Sequence, residues 1–123
     1  MFIKRLKDCK KFIAGDNCIL RELLHPDKFA LKLRYSLALA TVKPGRTTVK
    51  HSLKTSEVYY ILKGTGIMYI DKEQKKVSSA CAVYIPPKAV QCIKNTGRKE
   101  LVFLCIVDPA WRVTDEIVFN VVQ

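Results

Sequence analysis

A chain of 123 residues is long enough for one domain with a single core and leaves no room for a second. Apolar residues at 49% and charged residues at 27% exclude a disordered polar chain, and no apolar run approaches the roughly 18 residues of a membrane-spanning helix. The net charge of +11 attracts anions, yet the cations are dispersed from Lys4 to Lys99 rather than gathered among aromatics as an RNA-stacking surface requires. The charge therefore reads as a solvated lysine-rich surface, and neither nucleic acid nor a membrane is an expected partner. The five cysteines (Cys9, Cys18, Cys81, Cys92 and Cys105) form no C-x-x-C pair and are odd in number, which argues against a disulfide framework and a thiolate zinc site. The first residues, M-F-I-K-R-L-K-D-C-K-K-F-I, carry scattered charges and lack the apolar region of a secretory signal, so a cytoplasmic protein is expected.

The start of the chain reads two ways. Phe2, Leu6, Cys9 and Ile13 allow a short amphipathic helix, while F-I-K-R-L suits a strand. Gly15-Asp16-Asn17 is a turn, after which Cys18 to Leu24 forms a strand ending at His25-Pro26, where proline forces extended or turn backbone. Asp27 to Lys32 is a loop, Leu33 to Val42 a strong strand, and Pro44-Gly45 a turn. In the stretch that follows, the period of two puts His51 and Leu53 on one face and, after the polar turn Lys54-Thr55-Ser56, puts Glu57, Tyr59 and Ile61 on one face. A second turn at Gly64-Thr65-Gly66 leads to a hairpin, with Gly66 to Ile70 folding back through Asp71-Lys72-Glu73 onto an edge strand at Lys75 to Val77. Ala82 to Ile85 stops at Pro86-Pro87, which cannot donate to a ladder. Val90 to Ile93 resumes the sheet, Asn95-Thr96-Gly97 turns it, and Leu101 to Val107 is the longest apolar run, closed by Asp108-Pro109. Thr114 to Val121 reads as a final strand or short helix, packed outside the barrel or reaching a partner subunit. Nine to eleven short strands with almost no helical periodicity predict an all-β, jelly-roll-like domain.

Within that frame a few residues carry chemistry. His51 is one of two histidines, and Glu57 is a carboxyl entering the apolar run V-Y-Y-I-L, where a metal, a cation or water must offset its desolvation. Gly45, His51, Glu57 and Gly64 have the spacing of the first motif of the cupin superfamily, with Leu53 in place of a second histidine. Downstream, A-C-A-V-Y-I-P-P-K-A-V-Q-C-I-K-N resembles the second motif: Pro86 and Asn95 match it, Ala80 and Lys88 stand for its two glycines, and Gln91 stands for its histidine. The resemblance covers about Leu37 to Pro109. It implies a cupin-type jelly-roll β-barrel (double-stranded β-helix) in a single domain, with N-terminal strands (1–36) packing on a barrel core (37–109), a C-terminal extension (110–123), and assembly as a homodimer.

The resemblance also implies a divalent metal (Mn, Fe, Ni or Zn) held by His51, Glu57 and Gln91. His25 is a candidate additional ligand that would complete a two-histidine, one-carboxylate set. Leu53, Tyr59, Met68 and Lys88 are the expected pocket residues, Lys88 giving a cation at the rim for an anionic ligand. Trp111 either caps the apolar end or anchors a dimer. The functional expectation is a metal-binding cupin for an anionic or oxygen-rich small molecule, a carboxylate or sugar derivative, with isomerase, dioxygenase or decarboxylase chemistry. The alternative is a metal-free, non-catalytic ligand-binding or scaffold barrel, so whether the chain is an enzyme stays open.

Overall fold

The computed structural model describes residues 1–119, and these form eleven strands in two antiparallel sheets with only two short 3-10 turns, at Leu6–Asp8 and Val113–Asp115. One sheet is ordered β1 (Lys11–Ile13), β2 (Ile19–Leu24), β3 (Ser36–Val42), β10 (Leu101–Asp108), β5 (Ser56–Lys63) and β8 (Ala82–Ile85). The other is ordered β11 (Glu116–Val118), β4 (His51–Leu53), β9 (Gln91–Asn95), β6 (Thr65–Ile70) and β7 (Glu73–Ser78). Consecutive strands repeatedly change sheet, which is the jelly-roll connection expected from the sequence. No helix among the described residues is long and apolar enough to cross a membrane.

The strands follow from their side chains. Ser36–Val42 and Leu101–Asp108 alternate strictly between buried and half-buried positions, and their register pairs Phe103 with Ala40, a large residue facing a small one, and Cys105 with Ala38. Phe103, Ile61, Ile85, Ile93 and Leu101 are fully buried and belong to one core cluster. The ring of Tyr59 lies 4.4 Å from that of Phe103, centroid to centroid, at the floor of the open end. Asn95 is also fully buried: its amide donates to the carbonyls of Val42 (2.9 Å) and Lys99 (2.8 Å), and its Oδ1 accepts from the N–H of Gly97 (2.9 Å). One side chain thus pins the turn between β9 and β10.

The two family glycine positions are informative. Ala80 and Lys88 both adopt positive φ, 69° and 70°, so the backbone the pattern demands is kept although the residue is not. Each costs on the order of 1 kcal/mol against glycine.

The terminal segments build onto the two sheets. The N-terminal strands extend the sheet edge through β2–β3 pairing, and the ambiguous opening resolves as a 3-10 turn followed by β1. The C-terminal strand β11 pairs with β4, setting Glu116 opposite Leu53 and Val118 opposite His51, so it builds into the barrel mouth instead of packing outside. The rest of the expected terminal element, 120–121, lies outside the described residues. The turn before β2 meets β11 there: a Cβ added to Gly15 would sit 3.0 Å from Glu116 Oε1.

Candidate functional site

The open end of the barrel holds a cavity of about 260 Å³. His51 and Leu53 reach it from β4, Glu57 and Tyr59 from β5, Cys105 and Val107 from β10, and Glu116 from β11. The Gly15-Asp16 turn and Trp111 add to the wall. The shared faces read from the sequence are therefore present: His51 with Leu53, and Glu57 with Tyr59. Gln91 is the register partner of His51 and is fully buried behind the cavity, where its Nε2 donates to Glu57 Oε1 at 2.8 Å. The fold thus brings His51, Glu57 and Gln91 together.

Their hydrogen bonds set their chemistry. His51 Nδ1 lies 3.2 Å from the carbonyl oxygen of Val49. A carbonyl only accepts, so Nδ1 carries a hydrogen, and in the neutral ring Nε2 then presents a lone pair. Asp16 Oδ2 lies 3.8 Å from Nδ1, and Glu116 Oε2 lies 4.0 Å from Nε2. Asp16 is held by its own turn, Oδ1 accepting from the N–H of Cys18 at 3.1 Å and its carbonyl from the N–H of Val49 at 2.8 Å.

Burial pushes the Glu57 carboxyl from an ordinary 4.5 up to about 8. The Gln91 hydrogen bond opposes that rise, and the charges of Asp16 and Glu116 add to it. At neutral pH Glu57 is thus mostly protonated. Burial also raises Glu116, with His51 opposing and Asp16 reinforcing the shift. The thiols of Cys18 and Cys105 line the same cavity, and burial lifts both well above the ordinary range, so they act as apolar wall rather than nucleophiles.

Several expected site residues lie elsewhere. His25 is buried away from the cavity lining: its Nδ1 accepts from the N–H of Asp27 at 3.0 Å and its Nε2 meets the carbonyl of Trp111 at 2.6 Å. Both nitrogens are committed, so His25 is a structural tie and not a ligand. What it ties is Trp111, whose N–H also donates to Ser36 Oγ at 2.9 Å and whose side chain faces the cavity. Met68 is core, packed in the cluster with Ile61 and Phe103 and absent from the cavity lining. Lys88 is exposed and absent from the lining; its backbone N–H donates to the Leu53 carbonyl at 2.7 Å.

The charge of the cavity is the opposite of the chain's. Among the described residues its wall has four carboxyl groups (Asp16, Glu22, Glu57 and Glu116), one imidazole, and no lysine or arginine. Lys28 pairs with Glu22 from outside. The anionic ligand expected from the sequence would therefore meet repulsion and no cation. Asp16 and Glu116 are the functional residues that sequence reasoning missed. The only available signals were an aspartate in a Gly-Asp-Asn turn and a glutamate in an alternating terminal strand, neither distinguishable from surface.

A metal bound as the family pattern implies does not fit these residues. Leu53 supplies no donor, and Gln91 turns its amide nitrogen to Glu57 while its own Oε1 is buried without a partner. One Glu57 oxygen is already occupied by that bond. Among the described residues no three His, Cys, Asp or Glu side chains form a group that could hold an ion. Either orientation of the Gln91 amide suits a protonated Glu57 instead: Nε2–H donates to its carbonyl oxygen, or the flipped Oε1 accepts its O–H.

Comparison with known proteins agrees with the architecture. An uncharacterized protein of Methanocaldococcus jannaschii is 41% identical over 107 residues, which are 86% of this chain and 85% of that one. A Streptomyces nucleoside dehydratase superposes with a TM-score of 0.80 at 14% identity, over 100% of this chain and 94% of its own. A polyketide cyclase from Streptomyces resistomycificus does so with a TM-score of 0.80 at 19% identity, over 100% and 87%. At these identities the two structures show a shared fold. The family model described as a cupin domain matches residues 38–107, more than half the chain, and the chain belongs to the cupin family.

Proposed function

We propose that this cupin binds a small uncharged or cationic organic molecule and transfers protons on it without a metal. His51 Nε2 takes a proton and the Glu57 carboxyl gives one. The observation that carries this reading is the pairing in one cavity of a histidine with a bare Nε2 and a buried carboxyl that is gripped by an amide and faces no lysine or arginine. A proton acceptor and a proton donor facing one cavity are what general acid–base chemistry needs.

The roles follow from the contacts. Asp16 stands on the Nδ1 side of His51 and stabilises the imidazolium formed when Nε2 is protonated. Tyr59, Leu53, Val107 and Trp111 make the wall apolar and exclude water, which strengthens each electrostatic contact inside. Dehydration, isomerisation and cyclisation all require proton removal at one point and delivery at another. Two of the barrels compared above are a dehydratase and a cyclase, which supports that reaction group.

The test is solvent deuterium exchange. The protein is incubated in D₂O with a panel of small ketones and hydroxyketones, and loss of the α-hydrogen signal is followed by proton NMR. Catalysed exchange, unaffected by a chelator and reduced about 100-fold or more in His51→Gln, is the expected result. Exchange that persists in that variant, or that vanishes with chelator and returns with metal, overturns the reading.

A further inference from the structure

Glu116 and His51 present an arrangement of which the proton-transfer reading uses only the imidazole. His51 Nε2, on a side chain 4% exposed, has no hydrogen-bond donor among the described residues, and the carboxylate nearest to it is Glu116 Oε2 at 4.0 Å, on a side chain 10% exposed. Both are acceptors. Asp16 adds a further negative charge on the other side of the same imidazole, and no lysine or arginine of the described residues enters the wall. Besides the Trp111 side chain, which hydrogen-bonds Glu116, this part of the wall offers acceptors, and a ligand that brings donors complements it.

Taking the cavity as the ligand site, as the proposed function does, we infer that its ligand carries a protonated amine, bound between His51 Nε2 and Glu116 Oε2. An ammonium has three donors and no acceptor, the complement of this cluster. Two charge-assisted bonds of about 2.8 Å opening at about 90–110° span roughly 4 to 4.6 Å. The observed separation of 4.0 Å lies in that range. Phe12, Tyr59 and Trp111 line the remaining wall, and aromatic faces attract a cation further. A bare divalent ion fits less well: it needs four or more donors, and no three side chains form such a group among the described residues. At about 260 Å³ the cavity also has space for an organic body behind the head group.

The experiment uses three probes with one body and different heads: benzylamine, benzyl alcohol and benzoate, titrated calorimetrically into the protein at neutral pH. Benzylamine binding at least about tenfold more tightly than benzyl alcohol, with benzoate weakest, is the expected order. Glu116→Gln should weaken benzylamine about tenfold and leave benzyl alcohol unchanged. The comparison between probes on the unaltered protein needs no variant, so a folding defect in Glu116→Gln leaves the test intact. Benzyl alcohol binding as tightly as benzylamine overturns the inference while leaving acid–base chemistry on a neutral ligand standing. Displacement of benzylamine by equimolar manganese chloride overturns it in favour of a metal. Amine preference without deuterium exchange upholds it and removes the catalytic reading, and failure of all three probes removes both.

Discussion

Replacing Glu57 with glutamine takes one titration out of the protein interior while keeping the shape that Gln91 grips. The folded carboxyl holds its proton up to about pH 8, whereas the unfolded one releases it near the ordinary 4.5. Between those values the folded state binds more protons than the unfolded state, so stability falls as pH rises through the window, by up to about 1.4 kcal/mol per unit. The accumulated loss is about 3 kcal/mol at pH 7 and levels near 5 kcal/mol above pH 9. The glutamine amide does not titrate, and its oxygen still accepts from Gln91 Nε2. Glu57→Gln should therefore match the wild type near pH 4.5 and exceed it by about 3 kcal/mol at pH 7. Urea unfolding at a series of pH values, followed by fluorescence of Trp111, the single tryptophan, measures the difference directly. A carboxylate bound to a metal or a lysine would give the opposite slope. A difference that stays flat between pH 5 and 9, or a wild type that gains on the variant as pH rises, would refute the reasoning.

Asn95→Ala removes the three hydrogen bonds that pin the β9–β10 turn and leaves buried backbone groups without partners, so the urea midpoint should fall by the equivalent of about 3 kcal/mol at unchanged m; a loss below about 1 kcal/mol would show the turn holds without it. Leu53→His adds a donor beside His51 on the cavity face and should give a protein that takes up cobalt(II), visible in its absorption spectrum, where the wild type takes up none. A variant that also stays free of cobalt would mean that the bond between Glu57 and Gln91, and not the donor count, keeps metal out.

The barrel was legible because its signals are local. Alternation in Ser36–Val42 and Leu101–Asp108 and breaks at Pro44-Gly45 and Pro86-Pro87 mark strands and turns without knowledge of their partners. His51, Glu57 and Gln91 were legible as a group because motif spacing stands for a fixed path across two sheets. Their protonation was not, since it depends on what lies opposite: the same spacing describes a carboxylate on a metal and a carboxyl held by an amide. Asp16 and Glu116 are 100 positions apart in sequence, and no periodicity connects a turn before β2 with a strand after β10. His25 is set by a distant contact in the same way: Asp27 is a local partner, but Trp111, which takes its other nitrogen, comes beside it only when the segment after β10 folds back.

The segment matched by the family model ends before Trp111 and begins after Cys18, so the two carboxyls that flank His51 lie on either side of it. Phe103, Ile61 and Ile93 form the core without them. Sequence drift in the Gly15-Asp16-Asn17 turn or in 116–118 therefore alters what the cavity accepts long before it threatens folding. Relatives with an identical barrel motif should then divide by ligand according to their terminal sequences, and a survey of the motif alone would group together proteins that bind different molecules.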